Sequence, residues 1–238
     1  MKKVLLFILL FSSLAVFSQK NAVKLGLLSI EYGDFTIGYE RVINSKSSLN
    51  FNMGYWDLKT GSIDLYRYST EGKGVWLTGL GHGIHTSLEY RFYVGEKGAM
   101  SGFYVAPYLR FWNQSFTFED IIKNSKVNNV HFSVPTKMAS LGLGFQMGYH
   151  WQIYKNVSVD WYFVGVGIEK FKLDATYTAV GVKNFNYSSI EADVKEVFSN
   201  VKYFGKNLTT EATSDGLKIK LPLWLPGVRS GFTIGYAF

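Results

Sequence analysis

The chain has no cysteine in 238 residues. That excludes disulfides, thiolate metal sites and a lipoprotein anchor on an N-terminal cysteine. Proline is scarce, with four residues. Lysine and arginine never form the dense block of a nucleic-acid patch, so no nucleic-acid partner is expected. Past the N-terminal segment, no stretch approaches the ~18 apolar residues of a membrane helix. The longest later run, "WYFVGVGI" from Trp161 to Ile168, is short of half that.

The N-terminus is the exception. "MKKVLLFILLFSSLAVFSQ" sets Lys2 and Lys3 before an apolar run and then small residues. That is the layout of a secretory signal peptide, residues 1–18, with cleavage after Ser18. Residues 19–238 are left as one domain. The 25 basic side chains fall to 23 without Lys2 and Lys3, against 18 acidic ones, a mild net +5.

What is abundant is alternation. Aromatics make up 17% of the chain and glycine contributes 24 residues. Large apolar side chains recur at every second place in eight segments, the period of a strand with one apolar face. In "GFTIGYAF", Phe232, Ile234, Tyr236 and Phe238 alternate with Gly231, Thr233, Gly235 and Ala237. "GIHTSLEYRFYV" sets Ile84, Leu88, Tyr90 and Phe92 against His85, Ser87, Glu89 and Arg91. "ASLGLGFQMGYHW" sets Leu141 to Trp151 against glycines, Gln146 and His150. "VSVDWYFVGVGI" changes phase near Phe163–Val164, which predicts a bulge or the level where the strand leaves a membrane.

Connections alternate in length. Asn44–Ser48, Gly95–Ser101 and Tyr154–Asn156 are short, while residues 59–82, 119–137 and 173–227 read as long loops. Glu31–Asp34 is short where a long loop is due. Short turns on one side and long loops on the other describe an outer-membrane barrel with both ends on the periplasmic side. In the last loop, "SSIEADVKEVFSNVKYF" predicts a helix over Ser188–Phe204. Ser188 and Glu191 stand in capping-box spacing, and Ile190, Val194, Val197 and Val201 form its stripe. "GLKIKLPLWLP" alternates Leu217, Ile219, Leu221, Leu223 and Leu225 and predicts an outer extension of the last strand, interrupted by Pro222 and Pro226.

The polar face decides between a soluble barrel and a membrane barrel. It carries glycines and both signs of charge: Glu40, Glu89, Arg91, Arg110, Asp160 and Arg229. Paired charges and small residues suit a packed lumen, with the apolar face toward lipid. Tyr39, Tyr90, Phe92, Tyr149, Trp151, Tyr236 and Phe238 cluster toward the periplasmic strand ends, where an aromatic girdle belongs. The fold expected is all-β, an eight-stranded antiparallel transmembrane β-barrel with long outer loops, one holding a short α-helix.

The segments "AVKLGLLSIEYGDFTIGYERVINSKSSLNFNMGY", "HTSLEYRFYV" and "GFYVAPYLRF" resemble a family of small outer-membrane β-barrel proteins known mainly as a domain of unknown function. The resemblance covers most strands and none of the long loops. It implies a barrel of the Gram-negative envelope and brings no catalytic residues. The closing strand also resembles the C-terminal assembly signal of outer-membrane proteins. By that resemblance Phe232, Ile234, Tyr236 and Phe238 are read by the barrel-insertion machinery.

The six lumen charges are expected to be a structural ion-pair network, since an eight-stranded interior is filled by side chains. His85 and Ser87 share a face with Glu89, and His-x-Ser resembles lipid A deacylases built on a similar barrel. Alternate residues in a strand lie ~6.8 Å apart, too far for direct hydrogen bonds without bending. No metal-ligand spacing connects His82, His131 or His150 to a carboxylate. "GLGHG" precedes a strand, so it is no phosphate cradle. The expectation is a non-enzymatic protein without cofactor. Its partners would be outer-membrane lipids and an extracellular molecule met by the loops. A lipid A-modifying hydrolase and a narrow pore are the alternatives.

Overall fold

The computed structural model describes residues 20–27, 33–68, 74–124, 127–182 and 184–238, with the side chains of residues 58–79 and 120–129 excepted. The segment expected to be a signal peptide, and Glu31 and Tyr32 of the Glu31–Asp34 turn, lie outside the described residues. Eight antiparallel strands close into a ring: β1 (Asn21–Gly26), β2 (Asp34–Asn44), β3 (Ser47–Tyr68), β4 (Gly74–Val94), β5 (Gly102–Asn124), β6 (Val127–Gln152), β7 (Val157–Ala179) and β9 (Leu217–Ala237). The ring closes where β1 pairs with β9, in register Ala22↔Ala237 to Gly26↔Thr233. A short strand, β8 (Thr209–Ala212), adds to the outer part of β9. Helices α1 (Ser188–Ser199) and α2 (Lys202–Asn207) lie between β7 and β8. Among the described residues no helix is long and apolar enough to cross a membrane.

The apolar faces point outward. Leu141, Leu143, Phe145, Met147 and Trp151 are exposed along β6, while Ser140, Gln146 and His150 are buried inside. Ten steps at ~3.3 Å, tilted ~40°, make this band about 25 Å tall, the height of a bilayer core. Tyr90–Phe92 and Tyr149–Trp151 pack at the lower rim with ring centroids 4.7 and 4.5 Å apart.

Above the band the sense of the alternation inverts while its phase does not. On β6 the same inward parity that holds Ser140 and His150 now holds Val130, Phe132 and Val134, all buried. On β9 it holds Leu217, Ile219, Leu221 and Leu223. The outer side becomes polar, with Lys137, Lys170, Lys172, Lys218 and Lys220. The strands therefore leave the lipid and become the wall of a water-exposed barrel with an ordinary apolar core.

This inversion changes the reading of the loops. Residues 59–82 and 119–137 continue largely as paired strands, from Ile63↔Gly79 to Tyr68↔Gly74 and from Thr117↔Pro135 to Asn124↔Val127. The last connection, expected over 173–227, is also wall at both ends, paired from Leu173↔Leu221 to Tyr177↔Leu217, and departs from the wall only between Ala179 and Leu217. β9 also runs unbroken through Pro222 and Pro226. Even-numbered residues of β9 turn their backbone groups away from β7, as Phe232 shows by accepting from Leu27 N. Among the described residues that edge has no strand partner over 221–231. The missing proline N–H groups fall on this edge, where they cost no ladder bond. The Tyr203 hydroxyl serves the residue between them, donating to Trp224 O at 3.0 Å and accepting from Trp224 N at 2.8 Å.

The phase change on β7 is a bulge. Met147 pairs with Val164 and Gly148 with Tyr162, so Phe163 is the extra residue.

Candidate functional site

Inward positions of all eight ring strands build the lumen. At its lower end Met100, in a positive-φ turn (φ 62°), packs with Ala22 and Ala237. Directly above lies a fully buried charge network. Arg91 reaches Glu89 through Nε and Nη2 at 2.9 and 2.6 Å, Glu40 at 3.1 Å, and Asp160 by a short contact. Lys24 Nζ bonds Asp160 at 2.7 Å and touches Glu40. Arg229 Nη2 donates to Glu89 at 3.0 Å. Tyr93 and Tyr104 donate to Glu40 and Asp160 at 2.5 and 2.8 Å. Three cations face three carboxylates, so the cluster is neutral as a unit, as burial in a membrane requires.

Of the six charges anticipated from sequence, the structure joins five here and sets Arg110 apart. Arg110 pairs with Glu169 higher in the lumen. Glu169 also accepts from Ser140 Oγ at 2.7 Å and Trp112 Nε1 at 3.3 Å. Gly142 and Gly227 make room for it, since a Cβ on either would come within 2.6 Å of the Glu169 side chain. Lys24 and Glu169 were missed in the sequence. Lys24 stands in a six-residue strand whose alternation is weak, though it lies between Ala22 and Gly26 on the small-residue face. Glu169 changes face because of the Phe163 bulge, the one signal that pointed to it.

Between the network and the outer core is a cavity of about 700 Å³, lined by Asp34, Trp56, His85, Trp112, Phe116 and Arg229 among others. His85 Nε2 lies 3.0 Å from Asp34 Oδ1 and 3.4 Å from Thr36 Oγ1. Ser87 Oγ instead accepts from Asn52 Nδ2 at 3.1 Å. Among the described residues no hydrogen bond joins His85 to Ser87, so the His–Ser–Glu relay of a hydrolase is not assembled. Glu40, His150 and Asp160 do come together within 4.8 Å, a grouping the sequence spacing did not indicate. The Lys24 ammonium and Arg91 guanidinium already sit on those carboxylates, so the charge a metal ion would supply is provided by side chains.

The outer mouth is closed by a second core. Phe132, Ala179, Leu217 and Ile219 of the wall pack with Tyr187, Ile190 and Val194 of the last connection. The helix departs from expectation in detail. Tyr187, not Ser188, is its N-cap and makes no side-chain cap bond; Ser188 is already helical, and its N–H donates to Asn186 Oδ1 at 3.0 Å. Glu191 bonds outward, accepting from Lys195 at 2.8 Å and Thr210 at 2.6 Å, which holds its carboxyl below the usual range. The helix ends at Ser199 and restarts at Lys202, and Val197 and Val201 are about half exposed.

In the closing strand Phe232, Ile234 and Tyr236 face outward or partly outward, and the Phe238 carbonyl accepts from the N–H groups of Lys20 and Asn21 at 3.1 and 3.0 Å.

An apolar outer band, a neutralised polar lumen and a closed ring of eight strands define a transmembrane β-barrel of the outer-membrane type. The protein resides in the outer membrane. The chain belongs to the family described as "Protein of unknown function (DUF3575)", whose model matches residues 4–206. Two solved structures are similar to it. One is a major outer membrane protein from Thermus thermophilus, at 12% identity and TM-score 0.42, covering 93% of this chain and 100% of that one. The other is Acinetobacter baumannii CarO, at 14% identity and TM-score 0.37, covering 93% and 98%. No curated protein matches the chain.

Proposed function

We propose that the protein is a non-enzymatic outer-membrane barrel that acts by binding, through the folded cap at its extracellular end. One observation carries this reading: the lumen is filled at both ends, while the last connection is built into a structure with its own core. A buried ion network and Met100 close the periplasmic side, and the apolar cluster around Phe132 and Ile190 closes the other. A continuous water path, as a pore needs, finds no support in that packing. A relay for hydrolysis finds none in the His85 and Ser87 hydrogen bonds. The cap meanwhile keeps Val197, Val201 and Tyr203 about half exposed on its outer side.

The experiment is in-cell photocrosslinking from Asn200, at the exposed break between α1 and α2. A discrete adduct of defined mass supports the reading. Blank results at Asn200, Val197 and Glu211 alike overturn it. Discrete conductance steps in a planar bilayer, or lipid A whose mass depends on Ser87, would replace it with the pore or the hydrolase.

A further inference from the structure

The charge on the outer wall is gathered on one side. On β7, Lys170 and Lys172 face outward; on β9, Lys218 and Lys220 do the same; on β6, so does Lys137. The ladder makes them neighbours. Lys137 and Lys220 lie on either side of Asp174, and Lys170 lies opposite Trp224, two rungs below Lys172. The acids within this patch are Asp174 and Glu211, the latter opposite Lys218. Five lysines against two carboxylates leave it net positive, and among the described residues none of the five is in an ion pair.

Its height is the second observation. The apolar band on this face ends at Leu141 and Ile168, both about half exposed. Lys170 follows Ile168 by two residues, ~7 Å along the strand, and lies opposite Leu141, so the lysines begin at the top rung of the band. That is the headgroup layer of the outer leaflet. Trp224, 53% exposed, marks the boundary, with Lys170 Nζ 5.9 Å from its ring centre. An interfacial tryptophan beside lysines is the arrangement that anchors a protein among polar headgroups. The patch faces sideways, into the plane of the membrane, and not upward as the cap does.

We propose that Lys137, Lys170, Lys172, Lys218 and Lys220 form a docking site for the phosphate groups of an outer-leaflet glycolipid. Lysine meets phosphate as a compact point charge with three donors, which suits a headgroup that carries several phosphates at variable spacing. The apolar wall below receives the acyl chains, so one lipid touches both surfaces. The proposal does not rest on any partner the cap binds, although Glu211 and Tyr203 join the two surfaces.

The test uses the full mature barrel in nanodiscs, with bisphosphorylated lipid A and the same lipid stripped of phosphate as probes, read by native mass spectrometry. Each lysine near an anionic surface contributes roughly five-fold in affinity. Tighter binding of the phosphorylated lipid, on the order of 10²-fold, is therefore expected, with a decline as salt rises. The quadruple variant Lys170→Gln, Lys172→Gln, Lys218→Gln, Lys220→Gln should erase that preference, while the matching arginine variant retains it. Should the quadruple variant fail the gel-shift test for folding, the pair Lys218→Gln, Lys220→Gln takes its place, with an expected loss of roughly 20-fold. Equal binding of the two lipids, or an unchanged preference in the folded glutamine variant, overturns the proposal. So does inorganic phosphate that displaces the lipid at equal concentration, which would make this a site for the free ion.

Discussion

Replacing Arg91 by methionine tests the lumen most directly. Arg91 is 1% exposed and touches all three carboxylates of the network: Glu89 twice, Glu40 once and Asp160 once. Its guanidinium also lies 4.4 Å from the Tyr104 ring centre. Methionine keeps much of the volume and removes the charge. Two cations, Lys24 and Arg229, are then left against three buried carboxylates. Removing one partner of a buried ion cluster costs about 3–5 kcal/mol, which is a shift of roughly 10²–10⁴ in the unfolding equilibrium.

The second substitution separates charge from packing. Adding Asp160→Asn to Arg91→Met restores neutrality, with Lys24 on Glu40 and Arg229 on Glu89. The double variant should therefore be more stable than the sum of the single losses implies, by about 1–3 kcal/mol. Urea unfolding of the barrel in lipid vesicles, followed by tryptophan fluorescence, measures both single variants and the double. A loss below about 1 kcal/mol for Arg91→Met alone refutes the reasoning. Strictly additive losses in the double variant refute it as well, since the network would then not act as one neutral unit.

Arg110→Met should cost less, about 2 kcal/mol by the same assay, because Glu169 keeps donors from Ser140 and Trp112. Gly144→Ala should cost about 1–3 kcal/mol in thermal unfolding: its Cβ would meet the backbone oxygen of Val166 at 2.2 Å, an atom that cannot swing away. Ile190→Ala should loosen the cap by about 2–5 kcal/mol and leave the lipid-embedded barrel folded. Limited trypsin digestion, cutting at Lys195 or Lys202 while the heat-modifiable gel band persists, checks this.

The membrane-level fold was legible because lipid forces a simple rule onto each strand. Leu141 to Trp151 and Phe232 to Tyr236 alternate with small and polar residues, which marks strands, and the glycines and paired charges of the second face then separate a lipid-facing barrel from a soluble one. The extracellular half was harder for the same reason. At Val130–Val134 the strand keeps its phase while apolar residues move to the other parity, so a search for lipid-facing alternation loses the signal and reads a loop; at Leu217–Leu223 the alternation is regular enough to read as an outer extension of the last strand. The lumen charges were legible one by one and not as partners. Partnership crosses the barrel: Lys24 and Asp160 are 136 residues apart. It also depends on parity, which the Phe163 bulge shifts for Glu169.

The inversion also bears on how the barrel works. A strand that passes from lipid to water without changing phase must exchange the contents of its two faces at one height. Inside, the exchange runs from Arg110 and Glu169 to Phe116, Phe132 and Leu217; outside, from Ile168 and Leu141 to Lys170 and Lys172. Both changes fall at the same level, the outer interface. On the function proposed above, a lumen that is ionic in the membrane and apolar above it resists the passage of water or ions on either side of the cavity of about 700 Å³. In the lower half any ion must break a neutral cluster of paired charges. In the upper half it must enter a dry aromatic core. On that proposed function, the paired charges of the interior serve stability, and the surfaces proposed to bind are the outside of the cap and the lysine wall beneath it.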